Sequence, residues 1–374
     1  MHVISRMNVG GPAVMISDSV RGLDSSLFDQ KIFAGECEPE EADYLKTHGK
    51  DIDATLVKGL GRKINLSGDL HALIELTKAI RQYRPDIIHT HASKAGLLGR
   101  IAVILSRHNV ISVHTFHGHI LFGYFSAIKS HIFTYIERIL AGKTDVLIAV
   151  GQKVSEDLIA AKIGRVEQYR VIHPGVVEPN LYSMKSAHEQ LHLDIPKGNL
   201  VCGYFGRVTS IKRPDRFLEV VQKSSQKSLP ISFFIAGEGD LSQFVKKQIN
   251  DLELPVRWLG WQTDVGLIMS ALDILVICSD NEGLPLSAIE AGYNSKVVIG
   301  TNVGSIPEVI KNEVTGFITE KDGDRIVQLL ENIVSNEFDL REMGDAAKKR
   351  IENNFSLSNY LDKISRLYTE LTSP

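Results

Sequence analysis

Along its whole length the chain alternates short apolar, β-rich runs with longer segments in which apolar residues recur every three or four positions. Few folds accept that rhythm: it predicts βαβ units stacked on parallel sheets, the α/β class. In the first part the strand candidates are His2–Ser5, Lys31–Ala34, Asp86–His89, Val110–His114 and Val146–Val150, separated by helical stretches at Pro12–Leu23, Gly68–Tyr83, Lys94–Ser106, Phe125–Leu140 and Ser155–Ala161. The second part repeats the scheme with strands at Val201–Phe205, Ser232–Ala236, Val256–Leu259, Ile274–Ile277 and Val297–Gly300. Its helices are expected near Pro214–Lys223, Leu241–Leu252 and Pro285–Tyr293, and three more close the chain, the last near Asn359–Leu371.

The rhythm lapses from His173-Pro174-Gly175 to about Gly198, a polar stretch holding Pro174, Pro179 and Pro196, so a linker is expected there. That divides the 374 residues into an N-terminal domain over 1–175, a C-terminal domain over 176–355 and a final helical segment over 356–374. Two doubly wound domains joined this way are expected to turn the carboxyl ends of their strands toward a common cleft, where open parallel sheets bind ligands.

With 43% hydrophobic and 23% charged residues the chain has the composition of an ordinary globular protein, which excludes collagen, disorder and small disulfide scaffolds. Cys37, Cys202 and Cys278 are odd in number and lack CxxC spacing, so neither a disulfide framework nor a zinc site follows, and a reducing compartment is expected. No run approaches the ~18 uncharged apolar residues of a membrane span. Met1 to Arg6 lack the pattern of a secretory signal, so the expected location is cytoplasmic. The net charge of −3 joins a mildly basic first half to an acidic second half, and all 13 histidines except His188 and His192 fall in the first. Such asymmetry fits a face that meets an anion, or scattered surface charge. No nucleic-acid partner is expected.

The segment Ser279-Asp-Asn-Glu282-Gly283-Leu284-Pro285-Leu-Ser-Ala-Ile-Glu290 carries the most chemistry. A buried strand ends in a polar turn, Gly283 lets backbone approach a ligand, and Pro285 suits a helix start whose amides cradle an anion. Carboxylates beside such a cradle repel phosphate, so Glu282 and Glu290 are expected to hold neutral hydroxyls, as sugar and ribose offer. In Gly206-Arg207-Val-Thr-Ser-Ile-Lys212, two cations at a strand end can converge on a diphosphate without a metal.

Asn8-Val9-Gly10-Gly11-Pro12 makes a nest for an anion or a close-approaching substrate, or a structural turn. In His114-Thr-Phe-His117-Gly118-His119, His117 is the residue best placed to reach a substrate hydroxyl, one of His114 and His119 being a packing residue. Ser93 is expected to cap the following helix, and Lys94 at a helix start indicates an anionic neighbour or a tolerated surface lysine. Asp51-Ile52-Asp53 and Asp322-Gly323-Asp324 have metal-like spacing but read as surface turns. The absence of G-x-G-x-x-G after either first strand and of G-x-x-x-x-G-K-[ST] argues against nicotinamide cofactors and phosphate-loop ATPases.

These motifs together resemble family 4 of the retaining glycosyltransferases, with the two-domain GT-B fold. The resemblance rests on Gly10-Gly11, His91 to Arg100, His114 to Gly118, Gly206-Arg207 with Lys212, Leu259-Gly260-Trp261, the Glu282 and Glu290 pair, and Val303-Gly304-Ser305-Ile306-Pro307-Glu308. It implies that Arg207 and Lys212 bind the donor diphosphate with help from the amides of Gly283 and Leu284, and that Glu290 holds the ribose. By the same resemblance Glu282 contacts the transferred sugar, His117 contributes near that sugar, and Gly10 and Gly11 line the diphosphate and acceptor side. The last helix is expected to pack back on the first domain. Ser295, Val297 and Ser305 depart from the family pattern, as does His173-Pro174-Gly175 in the linker.

The resemblance implies retaining transfer of a hexose or N-acetylhexosamine from a nucleotide sugar, with UDP expected, to a glycan or polyprenyl-diphosphate-linked acceptor in cell-surface polysaccharide assembly. No cofactor and no metal is expected, since the nucleotide sugar is itself the donor substrate. The departing phosphate would accept the acceptor's proton, and domain closure would exclude water. The aromatic segment from His119 to Arg138, with Lys129 and His131, reads either as a helix packed on the sheet or as a surface for peripheral contact with the inner face of the plasma membrane. A nucleotide-sugar 2-epimerase and a noncatalytic nucleotide-sugar-binding subunit share the architecture and stay as alternatives.

Overall fold

A computed structural model describes all residues except 40, 62, 119–126 and 374, and only the backbone of 127–129. It divides into two compact units, Met1–Gly175 with Leu357–Pro374, and Val176–Ser356. The first unit runs β1 (His2–Ile4), α1 (Gly11–Gly22), β2 (Ile32–Ala34), α2 (Tyr44–Thr47), β3 (Ala54–Leu56), α3 (Leu66–Tyr83), β4 (Ile87–His91), α4 (Ser93–Ser106), β5 (Ile111–Phe116), α5 (Ala127–Ala141), β6 (Val146–Ala149), α6 (Gln152–Ala160) and β7 (Tyr169–Val171). The second runs α7 (Met184–Gln190), β8 (Leu200–Phe205), α8 (Pro214–Gln226), β9 (Ile231–Ala236), α9 (Ser242–Asp251), β10 (Val256–Gly260), α10 (Val265–Ser270), β11 (Ile274–Ile277), α11 (Leu286–Tyr293), β12 (Val297–Thr301), α12 (Ile306–Val309), β13 (Gly316–Thr319), α13 (Gly323–Val334) and α14 (Leu340–Asn354). The chain ends in α15 (Leu357–Thr372), part of the first unit.

Both sheets are parallel throughout, in the orders β3-β2-β1-β4-β5-β6-β7 and β10-β9-β8-β11-β12-β13. Helices cover both faces of such a sheet, so its central strands read as unbroken apolar runs; β11, Ile-Leu-Val-Ile, is buried at every position. In the second unit β8, β9 and β11 pack on α8 and α13 around Phe217, Ile235, Val276 and Leu330. Burying a side chain the size of Phe217 completely stabilises by about 1.5–3 kcal/mol. In the first, Leu76, Ile88 and Ala102 centre one cluster, and Ile4, Ile16 and Ile32 another. α15 packs on α1, where Tyr360 shares a hydrogen bond with Ser19 (2.9 Å).

Residues 176–198, expected as a linker, belong to the second unit. Ser183 caps α7 by accepting from the Ser186 amide, Tyr182 donates to Asp264 and His188 meets the Ala271 carbonyl at 2.9 Å. Ser93 does not cap α4: the cap position is Ala92, in the left-handed region at φ 61°, without a side-chain bond. Lys94 has its anion within the protein, pairing with Asp69 at 2.6 Å while donating to the Gly59 carbonyl at 3.0 Å. Asp51 pairs with Arg21 and Asp322 caps α13, so both aspartate pairs are surface features.

Candidate active site

In an open parallel sheet, ligands collect beyond the carboxyl ends of the strands where the order reverses. That reversal falls between β8 and β11 in the second unit and between β1 and β4 in the first. Arg207 follows β8, and Glu282 lies on the loop between β11 and α11. Gly10 and Gly11 follow β1 at the start of α1, and His117 follows β5.

The second unit brings Lys212 and Glu282 into an ion pair at 2.5 Å. Glu282 is 8% exposed and also accepts from the Ser279 hydroxyl. Arg207 is exposed, and its guanidinium has no protein partner among the described residues. Its neighbour Arg213 is held by Asp215 and Asp280, and the Asp280 amide donates to the Ile211 carbonyl (2.8 Å), which fixes the cationic turn beside the glutamate loop. No protein acceptor is found for the amides of Gly283 and Leu284 among the described residues, so a guanidinium, a partly shared ammonium and two amides are left to meet an anion. Pro285 is the cap residue of α11 rather than its first helical residue.

Glu290 is half-buried on α11, with no donor to its carboxyl among the described residues, and burial pushes that carboxyl up to about 7. The turn after β12 supports the loop from below. Thr301 donates to the Ser279 carbonyl (2.6 Å) and the Ser305 amide to the Gly283 carbonyl (3.0 Å). At Ser305 φ is −95°, a conformation that does not require the glycine usual in the family, whereas Ser295 takes φ 53° where glycine is at ease.

In the first unit Gly10 is extended, and a Cβ built there meets nothing closer than 3.9 Å, so open space rather than backbone strain distinguishes the turn. His114 is the packing histidine, buried with Nδ1 2.8 Å from Thr90 Oγ1 and its ring edge-on to Phe116. His119 lies outside the described residues. His117 is half-buried, and desolvation lowers its imidazole to about 4, so it is neutral at ordinary pH. Reading the residues alone missed that His117 joins a buried histidine cluster: its Nε2 lies 3.1 Å from His91 Nδ1, and His91 Nε2 lies 3.2 Å from His2 Nδ1. His2, His89 and His91 bring ligand atoms within 4.8 Å of one another, but hydrogen bonds within the protein already engage these nitrogens.

Among solved structures, Anabaena Alr3699/HepE in complex with UDP-glucose superposes with a TM-score of 0.80 at 20% identity, over 99% of each chain. Sucrose-phosphate synthase from Thermosynechococcus elongatus gives 0.81 at 18%, over 99% of this chain and 98% of that one. Two parallel units with this topology define the GT-B fold of glycosyltransferases. The model described as Glycosyltransferase Family 4 matches residues 9–178, and that described as Glycosyl transferases group 1 matches residues 188–350. A UDP-Gal:alpha-D-GlcNAc-diphosphoundecaprenol alpha-1,3-galactosyltransferase of Escherichia coli is 30% identical over 362 residues, 93% of this chain and 91% of that protein. The capsular polysaccharide biosynthesis glycosyltransferase CapM of Staphylococcus aureus is 22% identical over 82% of each chain. The chain belongs to glycosyltransferase family 4.

Proposed function

We propose that this glycosyltransferase moves a hexose or N-acetylhexosamine from a UDP-sugar, with retention and without a divalent metal, to a hydroxyl of a glycan or polyprenyl-diphosphate-linked acceptor in cell-surface polysaccharide synthesis. The observation that carries this reading is the charge arrangement after β8 and β11. Arg207, Lys212 and the amides of Gly283 and Leu284 can neutralise a diphosphate leaving group as the sugar bond breaks, while Glu282 and Glu290 accept from sugar and ribose hydroxyls. The Escherichia coli and Staphylococcus aureus relatives support the choice of donor and pathway class. From the first unit, His117 is assigned to the transferred sugar and Gly10 and Gly11 to the diphosphate and acceptor. The departing phosphate takes the acceptor's proton, Glu282 supporting the sugar electrostatically.

Peripheral contact with the cytoplasmic face of the membrane is part of the proposal. α5 presents Ile132 (55% exposed), Tyr135 (65%) and Ile139 (55%) along one stripe, although 119–126 lie outside the described residues. Among the described residues no helix is long and apolar enough to cross a membrane.

The test is nucleotide release from a panel of UDP- and GDP-sugars, with and without polyprenyl-diphosphate-sugar acceptor in anionic vesicles, in EDTA. UDP release that requires acceptor and persists in chelator is expected, with Ile132→Asp/Ile139→Asp slowing turnover on vesicles but not on a soluble acceptor. Release that disappears with EDTA would defeat metal independence. Conversion of the donor with no acceptor present would indicate an epimerase, and neither conversion nor release from any donor a binding subunit.

The Glu290 carboxyl makes a pH prediction. As a ribose-binding acceptor it works ionised, and a group titrating near 7 goes from about one-tenth to nine-tenths ionised between pH 6 and 8, so donor KM should fall by up to about tenfold over that interval. Stability should move oppositely. The folded carboxyl titrates above the 4.5 of an ordinary glutamate, so its contribution is full below that value and declines as pH rises through about 7. Glu290→Gln should flatten both profiles; a KM profile that keeps its slope in the variant would exclude Glu290 from the ribose.

A further inference from the structure

The parallel register sets His2 beside His89 and Ile4 beside His91, so the period of two places His2 and His91 on one face of the sheet. Thr115 of β5 is in register with His91, and His117 follows two residues later. The outcome is a row of side chains from four chain segments: Gln30, His2, His91 and His117, linked at 3.1, 3.2 and 3.1 Å. His89 stands beside the row, its ring centroid 4.1 Å from that of His91. Its own nitrogens meet Tyr368 (2.5 Å) and Thr115 (2.6 Å).

A neutral imidazole has one N–H donor and one acceptor nitrogen, so the direction of each bond in such a row fixes the next. The starting direction comes from Gln30. Its Nε2 donates to the Ser19 carbonyl at 3.1 Å, and because that carbonyl can only accept, the amide oxygen must face His2. His2 therefore donates from Nε2 to Gln30 and accepts at Nδ1 from His91 Nε2–H. His91 in turn accepts at Nδ1 from His117 Nε2–H. We infer that Gln30, His2 and His91 form a tautomer relay that holds the His117 proton on Nε2 and leaves Nδ1 as the acceptor presented to a substrate hydroxyl.

Burial maintains the neutral forms the relay needs. Desolvation is the leading cause that lowers His2 to about 3 and His91 well below its ordinary value. The Gln30 end is half-buried and borders a cavity of about 350 Å³ that His2, His89 and Tyr368 also line, so a substitution there meets space. Gln30, His2 and His91 are positioning residues. That Nδ1 meets a sugar hydroxyl rests on the function proposed above; the tautomer does not.

The test uses the full chain with ¹⁵N-labelled imidazoles, treated with EDTA, and reads tautomers from long-range ¹H–¹⁵N spectra, His117 being assigned by difference with His117→Gln. The wild type is expected to show His117 with an unprotonated Nδ1. Gln30→Leu removes the terminal acceptor, so the His117 signals should move to a mixture of tautomers, with kcat several-fold lower and donor KM within twofold. Gln30→Glu keeps an oxygen facing His2 and should restore both. A His117 protonated at Nδ1 in the wild type, a Gln30→Leu spectrum unchanged at His117, or stoichiometric Zn²⁺ taken up between His2 and His91 would overturn the relay. A tautomer shift with unchanged turnover would uphold the relay and overturn the assignment of His117 to the sugar.

Discussion

Alanine at Arg207 should lower kcat by about 10²- to 10³-fold while leaving the folded protein as stable as before. Negative charge gathers on the diphosphate as the glycosidic bond lengthens, and a cation beside it is worth more in that transition state than in the bound donor. Arg207 is exposed and has no protein partner among the described residues, so removing it leaves nothing in the fold unpaired. Lys212→Ala should cost turnover to a similar degree and also stability. Its ammonium pairs with Glu282, which is 8% exposed, and a buried carboxylate deprived of its ion-pair partner costs about 3–5 kcal/mol. Nucleotide release in the presence of acceptor, measured beside thermal unfolding, separates the two cases. An Arg207→Ala enzyme within threefold of wild-type turnover would remove the electrostatic basis of the proposed chemistry.

The charged loops after β8 and β11 are readable in the chain because each is local. An apolar run ends, glycine follows, and the cation or carboxylate stands within a few residues. The elements that sequence reading omits lack such a signal. β3 and β7 are three-residue edge strands with exposed positions, and β13 is an edge strand of four residues, so none offers a continuous buried run. α10 and α12 are too short to show a helical period. The 176–198 stretch is polar and proline-rich, as loops are, yet Ala187 and Leu191 are buried and anchor it.

Long-range pairings were equally hidden. Lys94 finds Asp69, and the buried Arg100 finds Glu137 through two bonds of 2.9 and 2.7 Å, both partners lying tens of residues away. His117 finds His91 by the same route. One signal was present: His89-Thr90-His91 at a strand end places two histidines on one face by the period of two, and His2 opens the neighbouring strand.

Gly304→Ala should abolish most turnover without touching any charged group. Gly304 sits at φ 49°, and a Cβ built on it lies 1.8 Å from the backbone carbonyl oxygen of Glu282. Backbone cannot yield as a flexible side chain does, so the 279–283 loop must move. Its freedom is small, because Thr301 holds the Ser279 carbonyl and the Ser305 amide holds that of Gly283. The displacement carries the Glu282 carboxylate away from Lys212 and re-aims the amides of Gly283 and Leu284 together. A misplacement of about 1 Å in a catalytic constellation costs on the order of 10²-fold, the loss in kcat expected here. Left-handed strain on an alanine adds roughly 1–2 kcal/mol of destabilisation, which Gly198→Ala reproduces as a control. Gly198 has φ 93° with nothing within 4 Å of a built Cβ, and it precedes β8 at the amino end of the sheet. Gly198→Ala should therefore lose only the strain contribution and keep nucleotide release, while Gly304→Ala loses more stability, through the displaced loop, and most of its nucleotide release. Equal and near-wild-type turnover in both would show that the turn after β12 does not set the position of the glutamate loop.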